Sequence, residues 1–263
     1  MRDVQSEILE KLCQIEAEHQ IKIPLAVESG SRAWGFASPD SDYDCRFVYV
    51  RPKDDYLTVF TRKDTIDYAP DAVFDLSGWD LRKFITHLVK SNAVMLEWLR
   101  SGVFYRRDHE VSEMLWQLGR AYFDPVATVW HYLSMARNNL GEILSAEKAK
   151  IKRYFYVMRP LACARFILEH GEVPFMEYSR NLGEITVPDV IREEICELMA
   201  RKEHTDEGMQ IAKNQPLVTY FMREVSELEK WLGTAKHEKL RDYDRADRCF
   251  RELVERVSAH GRY

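Results

Sequence analysis

The chain has 263 residues, 46% hydrophobic and 31% charged, which excludes wholesale disorder and suffices for one large domain or two small ones. Lys and Arg number 38 against 43 Asp and Glu, a net charge of −5, so nucleic acid could be met only through a local basic patch. No stretch approaches the roughly 20 apolar residues of a membrane span, and the five cysteines show no zinc or disulfide spacing.

In chain order, Val4 to about Gln20 carries Ile8, Leu9, Leu12, Cys13 and Ile15 at near-helical spacing. The start runs into this helix and lacks the apolar core of a signal peptide, so a cytoplasmic protein with reduced thiols is expected. Ile21–Val27, Asp44–Val50 and Asp71–Leu76 are rich in β-branched or aromatic residues and predict strands. A short hairpin is expected around Val59 and Ile66, and turns at Arg51–Asp55 and Ala69–Asp71. From Trp79 onward the pattern predicts helices: 80–90, 93–99, 110–122, 126–144, 148–169, 190–201, 217–231 and about 239–257. Gly171 and Gly233 sit where helices can stop. Strands first and helices afterwards point to an α+β protein rather than a doubly wound sheet. The expected division is a small mixed-sheet domain over 1–105 and a helical domain over 106–263, the second forming the other wall of a cleft.

The chemistry concentrates between Ser29 and Asp44, in the sequence SGSRAWGFASPDSDYD. Gly30 and Ser31 follow a strand, and a turn of this kind presents backbone N–H groups and a hydroxyl to phosphate. Asp42 and Asp44 stand two apart at the start of the next strand, so both project from one face. Such a pair suits a hard divalent cation, Mg²⁺ or Mn²⁺, that also grips substrate phosphates. Asp75, flanked by Phe74 and Leu76, is the expected third carboxylate, facing the same metals if its strand pairs beside that of Asp44. Asp67 and Asp71 are weaker alternatives, and Asp80 reads as a first-turn helix acid. Asp-x-Asp or Gly-Ser alone is usually a solvated turn; the ordered combination is far more restrictive.

These residues resemble the signature of the DNA polymerase β-like nucleotidyltransferase superfamily: Gly30-Ser31, a second glycine at Gly35, then Ser41-Asp42-Tyr43-Asp44. The resemblance implies that Gly30 and Ser31 hold nucleotide phosphates, that Asp42 and Asp44 ligate divalent metal, and that Asp75 matches the third acid. It extends to predicted nucleotidyltransferases associated with RNA-ligase repair systems through Ser29–Val50, Phe74–Lys83 with Leu96–Leu99, and Tyr154–Leu161. The last ~80 residues offer no comparable anchor. The implied reaction moves an NMP from an NTP to an acceptor hydroxyl with release of pyrophosphate. An RNA 3′ end is favoured as acceptor by that association, while a small molecule or a protein stays open.

Lys148, Lys152, Tyr156, Arg159 and Cys163 recur every three or four residues and are expected on one helix face. The functional reading has Lys152 and Arg159 on the triphosphate and Tyr156 against base or ribose; the plain one has core aromatics beside a solvated charged face. Arg32 stands beside the Gly-Ser pair, to contact phosphate or pair with Asp40. Arg46 shares the face of Asp42 and Asp44, where it could reach the site or offset its carboxylates, and Glu97 is an acid in an apolar helix; a structural role is expected of both. The competing readings are a catalytically silent nucleotide-binding protein and a metal-dependent phosphoesterase. The sequence leaves base preference and oligomeric state open.

Overall fold

The computed structural model describes residues 3–69, 73–206, 208–236 and 242–260. Asp71, part of the turn before it and the Lys239 start of the last helix lie outside these residues. The protein is α+β, with two compact units of interleaved sequence.

The first unit comprises the described residues of Met1–Gly30, Asp42–Phe123 and Lys239–Tyr263. Helix α1 (Val4–His19) starts at an Asp3 cap that accepts the Ser6 N–H and ends where Gln20 turns left-handed. Its stripe of Ile8, Leu12 and Ile15 packs into one core with Ile23, Ala26, Cys45, Phe47, Phe74 and Leu76 of the sheet. That sheet runs β3 (Thr65–Tyr68), β4 (Phe74–Asp80), β2 (Tyr43–Val50), β1 (Lys22–Glu28), β5 (Phe104–Arg107). Only β2 and β4 are parallel; the other neighbours are antiparallel. Helices α3 (Leu81–Leu88) and α5 (His109–Ala121) pack on its strands, α4 (Ala93–Leu99) on both helices, and α11 (Tyr243–His260) returns to α3 and α5. A β1 buried from Ile23 to Glu28 follows from being covered on both faces.

The second unit comprises the described residues of Ser31–Ser41 and Asp124–Glu238. Its centre is the pair α6 (Pro125–Ser145) and α7 (Ile151–His170), joined by α8 (Tyr178–Glu184), α9 (Asp189–Glu203) and α10 (Gln215–Thr234). A two-stranded ribbon, β6 (Lys148–Lys150) with β7 (Gln210–Ala212), caps the α7 start. The short α2 (Ser31–Trp34) belongs here because Phe36 stacks 4.7 Å from Phe155 and the buried Lys202 donates to Ser38 Oγ at 2.8 Å.

Several expectations change. The third strand extends through Gly78 and Trp79 to Asp80, which caps α3 by accepting the Arg82 N–H. Val59 lies outside any strand and is exposed. Strand β5 appears between helices, and Lys148 belongs to β6, so it leaves the proposed helical stripe. Gly171 is a left-handed helix stop as expected, whereas Gly233 lies inside the last turn of α10. Helices α5 and α11 pack in the first unit, and 31–41 in the second.

Candidate active site

The parallel pairing of β2 with β4 sets Asp44 opposite Asp75 as direct partners across the ladder. Arg46, two residues beyond Asp44, shares that face. Its Nη2 donates to Asp75 Oδ2 at 2.6 Å and to Asp44 Oδ1 at 2.9 Å. Its Nη1 donates to the carbonyl of Asp75 at 2.9 Å and more weakly to that of Cys45 at 3.3 Å. The Asp75 side chain is half-exposed, because β4 alternates and Asp75 points to its less covered face. Asp42 is exposed just before β2, and its charge is one of those that disfavour ionisation of Asp44.

Burial is the main reason that the Asp44 carboxyl is pushed up to about 6; Arg46 opposes the rise, and Asp42, Glu28 and Asp75 add to it. Behind the strand, Glu28 is only 1% exposed. Its Oε1 accepts the Asp44 N–H at 3.0 Å, its Oε2 accepts the Tyr105 hydroxyl, and Ser29 N–H donates to the Asp44 carbonyl at 2.9 Å. Burial beside Glu28 raises the Tyr105 phenol, which therefore stays the donor. Asp44 is thus held by both main-chain groups. Glu28 was not singled out from the sequence, although it ends an otherwise apolar strand.

Gly30 has a steric reason to be glycine. A Cβ there would lie 1.9 Å from Asp44 Oδ2 and 2.8 Å from its Cγ, so the turn and the carboxylate are in direct apposition. Gly30→Ala is therefore expected to displace the Asp44 carboxylate rather than the backbone. The variant should keep the wild-type circular dichroism spectrum and lose about 100-fold in activity, since a misplacement near 1 Å costs that much. Wild-type turnover by Gly30→Ala would show that this apposition is incidental.

In the second unit, Ser31 opens α2 and its carbonyl accepts the Phe36 N–H at 3.1 Å. Arg32 Nη2 donates to the Ser41 carbonyl at 2.6 Å. Trp34 meets Tyr156 edge-on at 6.0 Å and lies under the Arg159 guanidinium at 4.4 Å. Arg159 is 2% exposed, so it sits in the interior of this unit, whereas Lys152 and Tyr156 remain half-buried. Glu97 is buried in α4 between Leu96 and Trp98.

Asp42, Asp44 and Asp75 offer only oxygen donors, the set a hard divalent cation takes, and the Arg46 guanidinium between two of them is a stand-in cation. Among the described residues, no group of three or more His, Cys, Asp or Glu is placed to hold a metal ion.

The family described as the RNA repair pathway DNA polymerase beta family matches residues 4–252. The Bacillus subtilis (strain 168) protein YcgL, itself uncharacterized, is 36% identical over 250 residues, 95% of each chain. A crystal structure of a nucleotidyltransferase-like protein from Exiguobacterium sibiricum 255-15 is 14% identical, covers 94% of this chain and 80% of its own, and superposes with a TM-score of 0.29.

Proposed function

The chain belongs to the RNA repair pathway DNA polymerase beta family, and we propose that it transfers an NMP from an NTP to an acceptor hydroxyl, releasing pyrophosphate. The observation that carries this reading is the ladder register that makes Asp44 and Asp75 neighbours, with Gly30 against the Asp44 carboxylate. In the transfer, the acceptor oxygen bonds to the α-phosphorus as its bond to the bridging oxygen breaks. The electron pair leaves with pyrophosphate, and the hydroxyl proton passes to a carboxylate of the cluster or to water. A Mg²⁺ or Mn²⁺ ion bound by Asp42 and Asp44 would neutralise developing phosphate charge.

Gly30 and Ser31 cradle the triphosphate through backbone N–H groups and the Ser31 hydroxyl. Arg32 and Arg159 act through what they hold: Arg32 ties the α2 turn to Ser41, and Arg159 supports Trp34. We take RNA 3′ ends as the first acceptor to test and the cytoplasm as the place of action. Among the described residues no helix is long and apolar enough to cross a membrane.

The test follows label from each α-phosphate-labelled NTP, with Mg²⁺ or Mn²⁺, in the presence of cellular RNA, protein and a small-molecule extract. The expected outcome is label on RNA with stoichiometric pyrophosphate. Label on protein or a metabolite would change the acceptor and keep the reaction. Labelled NMP released only to water would establish a phosphohydrolase instead, and NTP binding without turnover would establish a silent binding protein.

A further inference from the structure

We infer that Arg46 is a resident cation of the acidic cluster, with Asp75 as its counter-ion, so that the site takes a single divalent ion held by Asp42 and Asp44. The inference rests on the nucleotidyl-transfer reading and departs from a two-metal arrangement with three carboxylate ligands.

The guanidinium is fixed at both ends. Two of its four contacts are backbone carbonyls, those of Asp75 and Cys45, whose attraction does not depend on any carboxylate being free. The other two are carboxylate oxygens, and the contact to Asp75 at 2.6 Å is the shorter. Arg46 is 21% exposed, so water and salt screen these contacts only in part. A guanidinium stays charged at any working pH, so the positive charge is permanent. The facing oxygens of Asp75 and Asp44 are therefore engaged, while Asp44 Oδ2 remains directed at the Gly30 turn.

Coordination agrees with one ion. Mg²⁺ characteristically takes one or two protein carboxylates and fills its remaining positions with substrate phosphate and water. Asp42 and Asp44 supply two. Arg46 would then provide, as a fixed charge near the reacting phosphate, part of the electrostatic stabilisation that a second metal supplies in a two-metal site.

The experiment counts Mn²⁺ bound to the full-length protein by the electron paramagnetic resonance of free Mn²⁺, with α,β-methylene analogues of the four ribonucleotides. The ion carried by free analogue is subtracted. One Mn²⁺ per wild-type chain is expected. Asp75→Asn should keep that stoichiometry with affinity within twofold, while Asp44→Asn weakens binding at least tenfold. Arg46→Gln, which frees both carboxylates, should bind a second Mn²⁺ or tighten the first at least threefold. Two ions per wild-type chain would overturn the inference, as would a tenfold loss in folded Asp75→Asn. If Asp75→Asn does not fold, an unchanged Arg46→Gln decides against it. Wild-type protein that binds no Mn²⁺ with any analogue would sink the nucleotidyl-transfer site and this assignment with it; two ions would leave that site standing.

Discussion

Asp44→Asn should abolish nucleotidyl transfer, by about a thousandfold or more, and at the same time make the metal-free protein more stable at neutral pH. The loss follows because amide oxygen is a poor ligand for a hard cation, and the charge stabilisation such an ion supplies is several kcal/mol, with each 1.4 kcal/mol worth a factor of ten. The gain in stability has its own sign argument. The Asp44 carboxyl titrates near 6 in the folded protein and near 3.8 when unfolded, mainly because burial disfavours the charge. Between those two values the folded state holds the proton that the unfolded state has released, so stability falls as pH rises through this window. Above about pH 6 the cost is complete, on the order of 1–2 kcal/mol once partial solvent access is allowed for. Asn mimics the protonated form and escapes the cost. In EDTA, Asp44→Asn should thus melt above wild type at pH 8, and the gap should close towards pH 4. Activity above a tenth of wild type would remove Asp44 from the site; lower stability at pH 8 would show that its ionised form is a net structural asset.

The candidate acidic cluster was legible in the sequence because its signals are local. Gly30-Ser31, Asp42 and Asp44 fall within 15 positions, and the period of a strand alone puts the last two on one side. Asp75 needed one non-local guess, that its strand pairs beside β2, and the register bears that out. Arg46 was placed on the right face, but its grip on Asp75 depends on that same pairing and could not be read from spacing. Glu28 was overlooked because a strand ending in an acid looks like a strand meeting solvent; here β5 and Tyr105 cover it.

Strand β5 itself is four residues between helices, too short for periodicity to separate it from a loop, and β6 and β7 are shorter still. The two units were divided by a single cut because local pattern carries no record of which distant helix a segment packs against. Trp34 and Phe36 anchor 31–41 among Phe155, Tyr156 and Tyr178 of the helical unit, contacts that no local spacing announces. Along α11, Ala246, Leu253, Val254 and Val257 form a buried stripe.

The largest loss of stability is expected from Gly78→Ala. Gly78 lies in the middle of β4, where glycine ordinarily weakens a strand, and its ladder partner is Phe47 of the parallel β2. Phe47 is fully buried, and its ring lies across the glycine: a Cβ at position 78 would sit 2.0 Å from Cε2, 2.3 Å from Cζ and 2.5 Å from Cδ2. A flexible side chain at the surface could swing aside at little cost, but this ring is packed in the core that joins α1 to the sheet. Overpacking of this kind costs about 3 kcal/mol at the upper end of its usual range, so the melting temperature of the variant should fall by roughly 6–12 °C. Gly78→Ala combined with Phe47→Leu should recover part of that loss, because the shorter side chain vacates the space the new methyl needs, and the two changes are then non-additive in the favourable direction. A single variant that melts with wild type, or a double variant that merely sums the two losses, would show that the ring does not dictate the glycine. The same displacement runs along β2 from Phe47 to Arg46 and Asp44, so a folded Gly78→Ala should also turn over more slowly, coupling the packing of this strand pair to the geometry of its acids.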